Sequence, residues 1–532
     1  MSSVEAAPAD GPPQKQAPQG PIRTALKNIS WIWTGLAIKI VVSFFMAPFV
    51  VASLGNVYYG IWTLLDQFTS YLWLFDFGVR DSIIKYVAQY HASDQRKELT
   101  SVVDTAVALY SAISAAVVLA IVVMAIALPY VFNIPAESVW TARITLIITG
   151  AGIAQAFVFN VYAGALMGVQ KFYLVDRLGI LFTIPRTILM VVMLKAGHGI
   201  IALALISFTV TTIANLLIYR YCRLELPYLA FRLHWPAREE LSRIVTYGKY
   251  VLVNNIGEKL IYASDGLIIG MFLPIASLTY FAVAGTLLGF LKAFVVAMAT
   301  VLNPMSSALD SEKDERRLRL LFLTSAKAAM LCGLPLCIGF IVLGERFISI
   351  WMGQAFGPIS GPLLAILAVA HLIGLPSYAI TQILYGLAKP RIPAIMRICE
   401  AVANIVLSVI LVRKFGLIGS ALGTMIPNII ITAIVLPAAV PKLMPVALKD
   451  YYVSTYLRPL LASIPFWVVC YAIDRVVAPT TLVTFLGTVG AGLIAYLVPS
   501  WFGALSDDER QMIASRVGRR WSRADPASAN AI

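Results

Sequence analysis

The chain has 532 residues, 59% of them hydrophobic and only 13% charged, with a mean hydropathy of +0.82. A water-soluble chain carries about 25% charged residues, so a surface wetted on every side is excluded. The net charge of +14 is concentrated in loops between apolar runs, where it meets anionic lipid headgroups; nucleic acid is the wrong partner to infer from it.

Residues 1–28, rich in Pro, Ala and Gln, read as a disordered cytosolic tail. They are not a signal peptide, because the apolar run that follows is too long and lacks a small-residue cleavage site. Apolar runs of roughly 20 residues, enough to cross a hydrocarbon core of about 30 Å, then recur as far as residue 500. Fourteen spans are expected. Six lie near 30–52, 58–78, 102–128, 140–165, 177–197 and 200–219, and six near 250–272, 277–300, 320–343, 361–385, 393–412 and 417–440. The last pair is near 459–477 and 481–500.

A repeat groups these spans. "GVQKFYLVDR" from Gly168 lies over "GLAKPRIPAI" from Gly386, so that Lys171 matches Lys389, and the alignment runs on through 168–205 and 386–423. Six spans per repeat, an even number, give both halves the same orientation, and parallel repeats of this kind place a substrate site between the halves near the midplane. The expected fold class is an all-α polytopic membrane protein of about fourteen helices: two six-helix lobes related by a parallel repeat, plus a C-terminal helix pair. The expected boundaries are a tail over 1–28, an N-lobe over 29–219, a basic cytosolic linker over 220–249 and a C-lobe over 250–440. A second linker over 441–458, the helix pair over 459–500 and an amphipathic cytosolic tail over 501–532 complete the chain. That last tail opens with a capping box, Ser506 and Glu509.

With the N-terminus in the cytoplasm, the inside segments hold most of the Lys and Arg, among them Arg80, Lys85, Arg96, Arg223 and Arg316. The outside segments hold few: Lys195, Arg346, Arg413, Lys414 and Arg475. The positive-inside rule therefore predicts a multi-pass protein of the bacterial inner membrane with both termini cytoplasmic.

Charges within spans are costly and face a bundle interior or a cavity. Lys39, Arg186 and Lys259 lie near mid-helix and Lys292 at intermediate depth. Two roles stand for them, ion pairs that join helices or the lining of a cationic cavity. Lys39 and Lys259 occupy similar depths in the first span of each repeat, which favours the cavity. Arg143 and Lys327, nearer span ends, are expected to reach the interface. The acids Asp66, Glu258, Asp265 and Glu400 are candidates for balancing these cations or for carrying coupling protons or sodium. The seventh span, "YVLVNNIGEKLIYASDGLIIG", places Asn254, Glu258 and Asp265 on one face and Asn255 and Lys259 on the next. His371 reads as a hydrogen-bonded packing residue. The five cysteines show no metal or redox spacing, no metal site is expected, and no GxxxxGK[ST] loop is present for ATP.

Local motifs carry a family likeness. "ASLGNVYYGIWTLLDQFTSYLWLFDFGVRDSIIKYVAQYHASDQRKEL", with its Asp76–x–Gly78 motif, resembles the second span and following cytosolic segment of polysaccharide flippases (Wzx type). These belong to the multidrug/oligosaccharidyl-lipid/polysaccharide exporter superfamily. "GALMGVQKF" and "QILYGLAKPR" resemble the connections between the fourth and fifth and the tenth and eleventh spans of the same family. The resemblance implies a non-enzymatic flippase working by alternating access, with no cofactor beyond ion coupling (H+ or Na+) or the membrane potential. Its cargo would be a polyprenyl-pyrophosphate-linked glycan handled beside membrane lipids, and its pathway partners glycosyltransferases and a polymerase. Two other cargoes fit the same superfamily: a cationic drug in a multidrug antiporter, and lipid II in a peptidoglycan flippase. The drug reading expects an acid in the first span, where this chain has Lys39.

Overall fold

The computed structural model describes residues 21–229, 256–257, 259–261, 263–439, 446–507 and 509–511, with side chains from residue 34 onward. Most of the expected 220–249 linker, Asn254, Asn255 and Glu258, and most of the C-terminal tail lie outside the described residues.

All regular structure among the described residues is helical. The helices are α1 (Pro21–Leu72), α2 (Val79–Ala92), α3 (Arg96–Val131), α4 (Val139–Gly168), α5 (Phe172–Lys195) and α6 (Ile200–Glu225). A helix ending at residue 272, α7, precedes α8 (Ala276–Ala299), α9 (Leu302–Ser311), α10 (Glu315–Met352) and α11 (Gly357–Gly386). Three long helical runs finish the chain: α12 (Arg391–Ala439), α13 (Leu448–Val477) and α14 (Leu482–Ala504).

Two of these runs are hairpins. α1 has 52 residues, about 78 Å at 1.5 Å per residue, more than twice the thickness of a bilayer core. It turns back at Gly55, whose φ of 73° is open to glycine at no steric cost. Gly35 packs beside Ile180 and Asp76 accepts from the Tyr110 hydroxyl, both in the early halves of their helices, while Asn56 sits at the opposite end beside Thr279 and Tyr280. α12 turns back at Gly416, φ 59°. Across that turn Glu400 meets Asn428, Asn404 meets Thr424, and Gly423 lies on Ser408, an antiparallel pairing about the turn at Gly416. Eleven described segments are long and apolar enough to cross a membrane, and these two cross it twice. The seventh expected span is described only in part.

The repeat is visible in the backbone. After α4, Gln170 has φ 65° and the Lys171 N–H donates to the Leu166 carbonyl; after α11, Ala388 has φ 53° and the Lys389 N–H donates to Leu384. After α2, Asp94 has φ 52° and Gln95 donates to Tyr90; after α9, Lys313 has φ 55° and Asp314 donates to Leu309. The aligned glycines share one task. A Cβ on Gly168 would meet Val87 of α2 at 2.7 Å, and one on Gly386 would meet the Asn303 carbonyl of α9 at 2.3 Å. Each short helix thus closes onto the long helix of its own half through a bare backbone.

Prolines supply interhelical bonds. A proline has no N–H, so the carbonyl four residues before it loses its helical partner, and in lipid that group must be satisfied by protein. Four such carbonyls are. Phe44, ahead of Pro48, accepts from the Trp351 indole at 2.9 Å, and Ala125, ahead of Pro129, accepts from Arg143 Nε at 2.8 Å. Leu331, ahead of Pro335, accepts from the Tyr496 hydroxyl at 2.6 Å, and Ala433, ahead of Pro437, accepts from Tyr452. Arg143 therefore spends its donors on α3 carbonyls. Trp351→Phe keeps an aromatic ring on Phe44, whose rings stack with centroids 5.1 Å apart, but orphans the carbonyl at a cost of about 1–3 kcal/mol. In a Pro48→Ala background the restored N–H caps Phe44, and the same substitution is expected to cost clearly less. A thermal-unfolding double-mutant cycle reads this coupling.

Hydrogen bonds join the two halves at the end that carries the Gly55 and Gly416 turns. Thr279 Oγ1 donates to the Asn56 carbonyl at 2.7 Å and Asn56 Nδ2 to Tyr280 at 3.0 Å; Asn133 donates to the Gly270 and Met271 carbonyls at 2.9 and 2.8 Å. Gly60 approaches so closely that a Cβ would stand 2.3 Å from the Ile275 carbonyl.

At the other end, Lys327 of α10 donates to both carboxylate oxygens of Glu509 at 3.0 and 2.9 Å, with only 7% and 15% of the two side chains exposed. The expected capping box is present, Ser506 N donating to Glu509 Oε2 at 2.8 Å. Lys327 is thus paired instead of reaching for the interface alone. Burial pushes the Glu509 carboxyl up, but the bonds from Lys327 and Ser506 outweigh it and hold the group below the ordinary glutamate range. The docked segment is accordingly most stable above that range and is released as pH falls through the lowered value. Glu509→Gln leaves Lys327 buried without a counter-charge, whereas Lys327→Met leaves Glu509 on a peripheral segment that can turn to water. The first substitution should lower the thermal midpoint in detergent more than the second.

Candidate functional site: a cavity pair around Asp66

Trp62, Asp66 and Thr69 along the second limb of α1, with Trp73 at the start of the 3-10 turn that continues it, follow one another at i, i+4, i+7 and i+11 and so share a helix face. That face looks into two cavities. One, about 300 Å³, lies within the first half between this limb and α4, α5 and α6; Asp66, Trp73, Arg186, Ser207 and Phe208 are on its wall. The other, about 460 Å³, lies between the halves, where Tyr59 and Asp66 face Asp265 of α7, Lys292 of α8, His371 of α11 and Thr424 of α12. Trp62 and Asp66 belong to both walls.

The structure gathers some of the sequence candidates here. The charges of Lys259 and Arg186 both bear on Asp66, whose carboxylate is exposed to the cavities and accepts no hydrogen bond from a described residue. Arg186 uses Nη2 to donate to Ser207 at 3.1 Å. Lys292 and His371 lie on one wall of the larger cavity, and His371 Nδ1 has no partner among the described residues. Lys39 lies elsewhere: it is exposed, lines neither cavity, and its charge bears on Asp176 of α5. Glu400 is 2% exposed and held away from both cavities by Arg397 at 3.4 Å and Asn428 at 2.8 Å. Arg397, near the start of α12, and the aromatic side chains on the cavity walls were not among the sequence candidates. Glu258 lies outside the described residues.

Asp265 is different in kind. Only 4% exposed, it accepts from Thr424 at 2.8 Å, Ser420 at 3.2 Å and Ser408 at 3.4 Å. Asn404 extends the cluster, donating to Thr424 at 2.9 Å and accepting from Ser264 at 3.1 Å. Both limbs of the α12 hairpin contribute. The carboxylate is surrounded by neutral oxygen-bearing side chains, a set suited to a proton or a hard cation. No cluster of three or more His, Cys, Asp or Glu side chains able to hold a metal occurs among the described residues.

A repeated helical half, two cavities at mid-depth and charges turned inward define a polytopic membrane transporter. The comparisons place it further. Residues 38–360 match the model of the family described as "Polysaccharide biosynthesis protein", and the chain belongs to that family. It is 23% identical over 496 residues to the uncharacterized membrane protein EpsK of Bacillus subtilis, covering 92% of this chain and 97% of that one. It is 19% identical over 422 residues to a putative O-antigen transporter of Shigella flexneri, covering 77% and 96%. Among solved structures it is similar to the lipid II flippase MurJ in an inward closed conformation, with a TM-score of 0.66 and 17% identity over 90% of this chain and 98% of that one. The last similarity bears on the fold.

Proposed function

We propose that this protein flips a polyprenyl-pyrophosphate-linked oligosaccharide from the cytoplasmic to the periplasmic leaflet by alternating access, for export of an exopolysaccharide, O-antigen or capsule. The observation that carries the reading is the pair of adjoining cavities around Asp66, with Arg186 on the wall of the smaller, Lys292 on the wall of the larger, and the charges of Arg186 and Lys259 both acting on the shared carboxylate. Cations in a low-dielectric cleft attract a pyrophosphate and repel a cationic drug. Family membership and the putative O-antigen transporter among the relatives support the same cargo class. The basic connections support a reading in which their end faces the cytoplasm across a bacterial inner membrane and the end joined by the Asn56 and Asn133 bonds faces the periplasm. Glycosyltransferases would supply the cargo and a polymerase would consume it.

Transport against a gradient needs a driving ion, and the Asp265 cluster is the proposed place for a proton or sodium. Its ligands sit on both limbs of the α12 hairpin, so filling the site would change how those limbs pack beside Lys292 and Thr424. Reconstitution tests the whole reading. Proteoliposomes loaded with a fluorescent polyprenyl-pyrophosphate saccharide should lose inner-leaflet label at a rate that depends on the protein. An unchanged rate, or movement of a cationic dye in its place, would sink it.

A further inference from the structure

We infer that the smaller cavity is a monosaccharide subsite, which takes the pyranose next to the pyrophosphate while the phosphates occupy the larger cavity. The inference rests on the flippase reading and goes past it by dividing the cargo between the two spaces.

The smaller cavity has the chemistry a sugar ring needs. A pyranose offers an apolar face of C–H groups and a rim of hydroxyls that both donate and accept. Trp62, Trp73 and Phe208 supply aromatic walls, and Trp73, 38% exposed, is braced from behind by Phe157 with ring centroids 5.2 Å apart. A rigid, partly uncovered aromatic ring gives large contact at small entropic cost. The rim is met by two unlike groups on the same wall. Asp66 offers acceptor oxygens that no described residue uses, and Arg186 spends one nitrogen on Ser207 and keeps further N–H donors.

Charge fits this division. Asp66 and Arg186 nearly cancel, so this cavity draws a phosphate only weakly, whereas the larger one sets Lys292, with Lys259 of the same half acting on the shared Asp66, against Asp66 and Asp265, and so lies beside two of the three inward cations. The two share Trp62 and Asp66, which places a sugar and its phosphates next to each other as they are in the cargo. A volume of about 300 Å³ lies at the small end of ligand sites and suits one ring better than a chain.

The test compares two probes on the purified full chain in nanodiscs. One is a bare polyprenyl pyrophosphate; the other is a panel of the same carrier bearing one glucose, galactose or N-acetylglucosamine. The readout is the ratio of their dissociation constants. In the wild type at least one sugar should tighten binding by about tenfold, the scale of a well-placed aromatic contact with its hydrogen bonds. Trp73→Ala should bring that ratio close to one, and Trp73→Phe, which keeps a ring on the Phe157 brace, should restore part of it. A wild-type ratio of one across the panel, with the bare carrier still bound, overturns the subsite and leaves the flippase reading standing. A ratio that survives Trp73→Ala overturns it as well. If neither probe binds the wild type, the flippase reading falls and the subsite with it.

Discussion

Lys259→Ala and Arg186→Ala should each abolish glycan export in a complementation assay while the protein still reaches the membrane. Both cations bear on Asp66 at the junction of the two cavities. On the proposed reading, removing either leaves Asp66 and Asp265 facing an anionic cargo with one counter-charge fewer. Truncating one partner of a buried charged contact costs about 2–5 kcal/mol, a loss of roughly 30- to several-thousand-fold in cargo affinity. Lysine and arginine exchanges should retain partial function, since charge survives and only geometry suffers. Lys39→Ala should be milder, because Lys39 lines neither cavity. Normal export from the Lys259 and Arg186 variants would remove them from cargo binding.

Asp265→Asn should abolish coupling without harming the fold. The change is isosteric, and it removes a charge from a site that is 4% exposed, so stability should hold or rise. An ion that binds only the folded state raises its stability by about 2.7 kcal/mol at a hundredfold excess over Kd. The wild type should therefore show a thermal midpoint that climbs with sodium or shifts with pH, and the variant should show neither. A variant that keeps the full ion-dependent shift would move the coupling site elsewhere. Thr424→Val removes the shortest hydroxyl contact to the carboxylate and should weaken the ion response less than Asp265→Asn does.

The bilayer made most of the fold legible. Apolar runs of spanning length, basic connections on one side and the Gly168–Gly386 repeat follow from physics that acts on single residues, and the same alignment reappears in the Gln170 and Ala388 turns. The cavities were harder to read. In the seventh span the polar stripe contains Asp265, a signal visible against an apolar background. In the second span the corresponding stripe is Trp62, Asp66, Thr69 and Trp73, whose tryptophans pass for lipid-facing bulk until Asp66 is used as the origin of the helical count. Arg397 was hidden by its position, since a basic residue so near the start of a span resembles a loop charge, although its i,i+3 spacing from Glu400 on one helix already pairs the two. Lys39 shows the reverse fault. Equal depth in two repeats fixes height in the membrane but not rotation about the helix axis, and rotation decides whether a side chain meets a cavity.

Among the described residues the polar attachments between the halves are few and modest: Asn56 with Thr279 and Tyr280, Asn133 with two carbonyls, Trp351 with the Phe44 carbonyl, and the near-touching backbones at Gly60 and Ile275. Five net hydrogen bonds of about 1 kcal/mol each are close to the roughly 5.5 kcal/mol that inverts a two-state population from 1:99 to 99:1. On the proposed flippase reading, a gate held on that scale would be thrown by the binding energy of one ion together with one pyrophosphate. An added methyl at residue 60 would keep the door from shutting at all, leaving a carrier fixed facing the wrong way with every cargo contact intact.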